Sequence, residues 1–447
     1  MPDRNRRGQL KSFAKLKIII MNILMINQPL NNRGDESAHR ALVRRILKEI
    51  PNAKIRVFFI GEKKDSVRQF RIEDERVTYV SYLSQSCTKN KFKYFFYDRL
   101  IVWNAFFKYV SFCYLKNVTC LWWFNPLIWP LLVAIFRSDF VVNAPGGICM
   151  GGFQVWHHIA YLKMAKVLHK DIYYYGRSIG PFPEKTVSNR RFKEESFKLL
   201  RYFKFLSLRD EKSESIACQY KIPYVPTVDS AFLDVPHSGV PQNLVECIGD
   251  DYIVFVPNVL RWHYAYKNVP KERIDNMFIK MHDALHSAFP KANIVMLPQT
   301  FNYDDPLFND VNYFYELKSM LGNPSYIKVI ADIYSSDVQQ QIIAKSKLIV
   351  GARYHSIVFA INNKTPFISL SYEHKMEGLL NIIGGKESMI DISDLSSDEK
   401  VNDIMRDFSS ILNDKNSKNN AACLYNKAMN IANSCFSAFY KSIKNNE

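Results

Sequence analysis

The chain has 447 residues, more than one ordinary hydrophobic core accommodates, so two domains are expected. Hydrophobic residues make up 47% and charged residues 23%, the balance of an ordinary folded protein, which sets disordered and fibrous classes aside. Sixty Lys and Arg against 43 Asp and Glu give a formal charge of +17, which favours an anionic partner without choosing among nucleic acid, an acidic membrane face and phosphorylated small molecules.

Residues 1–20 read as a basic extension, with Met21 a candidate true start. The short apolar run 18–26 lacks the small-residue cleavage site of a signal peptide. A first strand is expected at 22–27, a helix at 37–50 and a second strand at 54–60. The stretch 89–110 mixes Lys, Arg and aromatics as an interfacial surface would. Residues 118–136 have about the length of a bilayer span, but Asn125, Pro126 and Pro130 interrupt them. A buried helix with a loop and a monotopic membrane contact both stay open there.

Further strands are expected at 140–147, running into glycines, at 171–182, and at 203–213, where a strand gives way to a helix. Between 236 and 251 the sequence is polar and holds Pro236 and Pro241, and the domain boundary is placed there. The pattern then restarts, with strands at 251–258, 293–300, 327–332, 347–353 and 366–372 and helices between them such as 272–289. The reading is an α/β protein with two doubly wound domains facing a cleft, at 21–238 and 248–395. A helical tail, 396–447, has a last helix at 421–443 that packs back. Eight cysteines without a C-x-x-C pair suggest buried free thiols, a reducing cytoplasm and no zinc site.

The segment GARYHSIVFAINNKTPFISLSYEHKMEGLL, 351–380, carries Arg353, His355, Lys364, His374 and Lys375 among apolar residues. Tyr354, Ile357, Val358 and Ile361 fall at helical spacing, so a short helix opens just after a buried strand. Arg353 and His355 then stand where a strand hands over to a helix, and Lys375 follows the next strand. In open parallel sheets that edge is the ligand crevice, and a helix N-terminus attracts anions.

This segment resembles the C-terminal signature of the polysaccharide pyruvyl transferase family. Other blocks agree in order. NNRGDESAHRAL (31–42) is similar to its Asn-x-Gly-Asp motif and GGICMGG (146–152) to its glycine loop. YGRSIGPF (175–182), SLRDEKS (207–213) and VDSAF (228–232) match three further blocks. The resemblance implies a GT-B-like fold of two Rossmann-like domains, the first taking the acceptor and the second the donor. It implies transfer of pyruvate from phosphoenolpyruvate to a sugar of a surface polysaccharide or its lipid-linked precursor, with a pyruvate ketal formed and phosphate released. By matching position, His355 would be the catalytic acid/base, and Arg353 and Arg209 would grip the donor, with Lys375 a weaker addition. Asp35, Gly146, Gly147, Arg177 and Tyr372 complete the candidate substrate-binding set. Arg177 departs from the pattern, since an uncharged residue is expected there.

The chemistry suits these residues. Phosphoenolpyruvate carries a carboxylate and a phosphate on three carbons, and guanidinium forks hold both. Ketal formation needs one proton given and one accepted, which a histidine titrating near neutrality can do. No metal and no cofactor are expected, because the arginines supply the charge. Tyr175, Trp262 and Tyr372 are candidates for stacking on sugar rings. The competing enzyme reading is a nucleotide-sugar glycosyltransferase of the same fold. No nucleic-acid-binding pattern is visible and the charge is spread, so nucleic acid is not expected. The expected location is cytoplasmic, with contact to the inner face of the plasma membrane left open.

Overall fold

Ile23, Leu24, Met25 and Ile26 are each at most 1% exposed, and a strand buried on both faces belongs inside a parallel sheet. The computed structural model describes residues 20–29, 32–59, 71–81, 129–152, 154–301, 309–413 and 420–444. The interfacial stretch 89–110, most of the extension 1–20 and the first part of the apolar run 118–136 lie outside them.

In the N-terminal domain the chain runs β1 (Met21–Gln28), α1 (Arg33–Glu49), β2 (Ala53–Phe59), β3 (Val77–Ser81) and α2 (Trp129–Arg137). It continues through β4 (Phe140–Asn143), β5 (Gly146–Met150), α3 (Trp156–Val167), β6 (Asp171–Ile179), α4 (Val187–Leu200), β7 (Phe205–Leu208), α5 (Glu211–Gln219) and β8 (Val225–Pro226). The sheet order is β3-β2-β1-β4-β6-β7-β8, all parallel, and β5 pairs with β6 beyond the end of β4.

The second domain repeats the plan: α6 (Gln242–Ile248), β9 (Tyr252–Val256), α7 (Lys271–Ala288), β10 (Asn293–Met296), α8 (Asp310–Met320), β11 (Ile327–Val329) and α9 (Ser336–Ala344), then β12 (Ile349–Gly351), α10 (Tyr354–Asn362), β13 (Phe367–Ser371), α11 (His374–Ile383) and β14 (Met389–Asp391). Its order, β11-β10-β9-β12-β13-β14, is the doubly wound order in which the strand sequence reverses beside the first strand. That reversal falls between β9 and β12, and β12 leads directly into Arg353.

The tail divides. Helix α12 (Asp398–Asn413) stays with the second domain, where Arg273 holds Asp398 and the carbonyls of Leu395 and Ser396. Helix α13 (Ala421–Lys444) returns to the first: Phe439 packs edge-on against Tyr173, Tyr175 and Phe205, and the Tyr440 hydroxyl donates to the Glu49 carbonyl at 3.3 Å. Tyr175 is therefore a core residue, not a platform for a sugar.

A polar seam joins the domains along α1. Buried Glu36 meets Arg33 at 2.8 Å and Arg40 at 2.9 Å and accepts the Ser336 N–H at the start of α9. Arg40 and Arg44 both reach Asp337 of α9.

One expectation needs correction. Of the four cysteines whose side chains are described, Cys218, Cys247 and Cys423 are exposed and only Cys435 is buried. They lie on helix faces turned to water rather than in the core. The described part of the apolar run before β4, residues 129–136, lies in the short helix α2, anchored by Leu131, Leu132, Ala134 and Ile135. Among the described residues no helix is long and apolar enough to cross a membrane.

Candidate functional site

The turn from β12 into α10 is built by close approach. A Cβ on Gly351 would stand 2.2 Å from the Ser356 Oγ, and that hydroxyl donates to the Arg353 carbonyl at 2.6 Å. Arg353 takes the N-cap position with extended backbone, and its side chain turns back over the sheet edge. Its Nη2 donates to the Thr300 Oγ1 at 3.1 Å and to the Asp310 carboxylate, and its plane lies over the Trp262 ring at 5.7 Å. Asp310 is itself fixed, because its other oxygen accepts the N–H groups of Gln299 and Thr300 at 2.9 and 3.0 Å. Burial opposes the charge of Arg353, but Asp310 and then Tyr372 outweigh it, so its pKa moves up. The Nε of Arg353 is buried with no hydrogen-bond partner. A donor group in that position is costly unless a ligand satisfies it.

The N-terminal domain supplies the opposite wall. Asn32 caps α1 by accepting the Gly34 N–H at 2.7 Å, and the Arg33 N–H donates to the Gln299 carbonyl, which docks the start of α1 on the second domain. Gly34 lies against the His355 imidazole so closely that a Cβ there would fall 1.8 Å from its Nδ1. On the other side, Arg209 at the end of β7 pairs with Asp229 and lies over the Tyr354 ring at 5.2 Å. His355 Nε2 is 3.3 Å from the same Asp229 oxygen, close enough to feel the charge but not aligned for a hydrogen bond. Burial alone would push the Asp229 carboxyl up. Arg209 and His355 instead bring it down to about 2.

The other sequence candidates divide. Asp35 faces the glycine loop: Gly146 has φ +139°, and a Cβ there would meet the Asp35 Oδ1 at 2.8 Å, so two constraints require glycine. Gly147 has open space on its Cα and offers its carbonyl to Arg177. Arg177 is buried, and it donates to the carbonyls of Gly147 and Ala144 at 2.9 Å and of Asn27 at 3.1 Å. It holds the glycine loop in shape, which explains a cation where an uncharged residue was expected. Lys375 stands on the rim, 3.5 Å from Glu373. Tyr372 is buried beside Trp262, His263 and Tyr266, with its carbonyl accepting the Tyr266 hydroxyl at 2.9 Å.

Arg353, His355, Arg209, Asp35 and Gly146 thus meet where the domains touch. Sequence reasoning missed Asp229, Asp310 and Thr300. Asp229 lies inside a motif block that could have flagged it; nothing local marks Asp310. A separate cavity of about 850 Å³ lies further along α1, lined by Arg40, Arg44, Lys48, Arg71, Arg76 and His237 among others. Of the motif blocks it touches only the 31–42 block, through Arg40, and most of its guanidinium groups are committed to Glu36, Asp337, Asp234 and Asp74. Among the described residues no cluster of three His, Cys, Asp or Glu side chains is arranged to hold a metal ion.

Two facing Rossmann-like domains with a returning C-terminal helix define a protein of GT-B architecture. Solved structures agree. A Listeria monocytogenes protein provisionally described as a UDP-N-acetylglucosamine 2-epimerase superposes with a TM-score of 0.57 at 12% identity, covering 96% of this chain and 97% of that one. A glycosyltransferase from Rickettsia africae ESF-5 gives 0.53 at 14% identity, covering 95% and 99%. At such identities these likenesses speak to the fold alone. The family model for polysaccharide pyruvyl transferase matches residues 32–374, and the chain belongs to that family. It is 23% identical over 287 residues to the amylovoran biosynthesis protein AmsJ of Erwinia amylovora, an alignment covering 62% of this chain and 67% of that protein.

Proposed function

We propose that the protein transfers pyruvate from phosphoenolpyruvate to a sugar of a surface polysaccharide or its lipid-linked precursor, forming a pyruvate ketal and releasing phosphate. The observation that carries this reading is the pair of buried arginines, Arg353 and Arg209, flanking one imidazole at the start of α10, each already matched to a carboxylate. Guanidinium groups held in place by fixed carboxylates present their remaining N–H donors in a set geometry, which suits a small donor with two acidic groups. The unpartnered Nε of Arg353 gives such a donor a hydrogen bond it need not compete for.

The atoms balance as follows. C3 of the enol takes a proton, C2 becomes electrophilic, and a sugar hydroxyl adds to it. Phosphate leaves, and a second hydroxyl of the same sugar closes the ketal. The two hydroxyl protons end on C3 and on phosphate. His355 mediates one of these transfers, and Arg353 and Arg209 hold the donor's phosphate and carboxylate. Lys375 and Tyr372 border the donor, while Asp35, Gly146 and Gly147, in the loop that Arg177 shapes, face the acceptor. The acceptor is reached on the cytoplasmic side, free or on a lipid carrier at the membrane surface.

The test is phosphate release from phosphoenolpyruvate across a panel of free and lipid-linked glycans. Release that depends on glycan, with pyruvate recovered on the sugar as an acid-labile group, is expected. Phosphoenolpyruvate left intact with every acceptor would contradict the proposal.

A further inference from the structure

The oxygen that neutralises Arg209 also faces His355. Asp229 Oδ2 pairs with Arg209 Nη1 and stands 3.3 Å from His355 Nε2, while Oδ1 accepts the Ala231 N–H at 3.0 Å. The carboxylate is inaccessible to solvent, so no water shares the load. Its backbone is clamped from both domains. The Ser230 hydroxyl donates to the Ala38 carbonyl of α1 at 2.9 Å, and Asn362 at the end of α10 donates to the carbonyls of Ala231 and Asp234. The nitrogens Nε and Nη2 of Arg209 make no hydrogen bond among the described residues.

We propose that Asp229 is a positioning residue that couples the donor grip to proton transfer: one carboxylate oxygen faces both Arg209 and His355 and keeps the imidazole with a proton on the nitrogen beside it. A fixed anion beside an imidazole favours the charged ring. While Arg209 stands alone, it draws on most of that anion. When an acidic group of the donor arrives at Arg209, the guanidinium charge is met from the other side and the pull of Asp229 on His355 grows. His355 then takes the proton of the attacking hydroxyl most readily once the donor is in place. The site therefore favours the order donor first, deprotonation second. This rests on the donor reading above, but the placement of Asp229 does not.

The test uses the full chain with Asp229→Asn and Asp229→Glu. Under the proposal, Asp229→Asn lowers kcat about a hundredfold or more. The KM for phosphoenolpyruvate stays within about threefold, because Arg209 loses a competitor rather than a support. Asp229→Glu keeps the charge and recovers most of kcat. A raised KM with unchanged kcat would mean that Asp229 serves only to hold Arg209, and would overturn the proposal. A readout that needs neither turnover nor a folded Asp229 variant is the ¹⁵N spectrum of histidine-labelled wild type. The His355 signal, identified by its loss in His355→Gln, is expected to show the proton on Nε2. The opposite tautomer overturns the proposal. If wild type fails to consume phosphoenolpyruvate, the donor reading falls and the spectrum still decides the role of Asp229.

Discussion

Gly34 has no side chain because the His355 imidazole occupies the place where one would stand. The same holds for Gly146 against Asp35, so the first domain presses bare backbone onto the two functional groups that meet it. Gly34→Ala puts a methyl group where the ring is, and α1 itself loses nothing, since alanine is the better helix former. The expected result is a folded protein destabilised by about 1–3 kcal/mol, donor binding retained, and kcat lower by on the order of 10²-fold, the cost of misplacing a reacting group by about 1 Å. Kinetics with calorimetric donor binding checks this; unchanged kcat would mean that the ring does not work from that position. The grouping of Arg353 with His355 was readable in the sequence, because a guanidinium and an imidazole two residues apart open a helix with its own apolar stripe. Their acidic partners were not. Asp310 is 43 residues away from Arg353 on another helix, and only the turn at Gln299 and Thr300 brings it round.

At the scale of the element, α1 does more than its apolar face predicts. It was expected to begin near Ser37, but it starts at Arg33, because Asn32 caps it and the second domain takes the Arg33 N–H. Strands β3, β8 and β14 escaped the sequence reading, since two to five residues at a sheet edge carry little periodicity. The helix also buries His39 completely, with Nε2 3.0 Å from the Tyr79 hydroxyl. Burial, then the charges of Arg40 and Arg44, bring its pKa down from 6.5 to about 3. Between these values the unfolded chain binds a proton that the folded chain refuses, so stability is full above about pH 6.5 and falls as pH drops towards 3. The slope approaches about 1.4 kcal/mol per pH unit. Asp229, lowered to about 2, contributes no slope until the pH falls below about 4. Denaturant midpoints at pH 7 and pH 5 should therefore fall further for wild type than for His39→Gln. His263, His282 and His374, which burial also lowers, act equally in both chains. Equal losses in the two proteins would show that His39 does not carry this sensitivity.

At the scale of the whole molecule, two parallel sheets are held face to face by α13 behind and by the α1–α9 seam beside the site. The division into two doubly wound halves was legible because buried parallel strands read as apolar runs broken by amphipathic helices. The seam was not, because Glu36, Arg40, Arg44 and Asp337 read as surface charges until the domains meet. The same closure brings Arg209 of the first domain and His355 of the second to one carboxylate oxygen of Asp229. The central claim is that Arg209 and Arg353 together accept a doubly acidic three-carbon donor. Calorimetric titration of phosphoenolpyruvate, and separately of a nucleoside diphosphate, into wild type and Arg209→Lys/Arg353→Lys tests it most directly. The account predicts that phosphoenolpyruvate binds wild type, that the double variant binds it at least about tenfold more weakly because two forks have become point charges, and that the nucleotide binds neither. Tight nucleotide binding to wild type, with no heat from phosphoenolpyruvate, would contradict it.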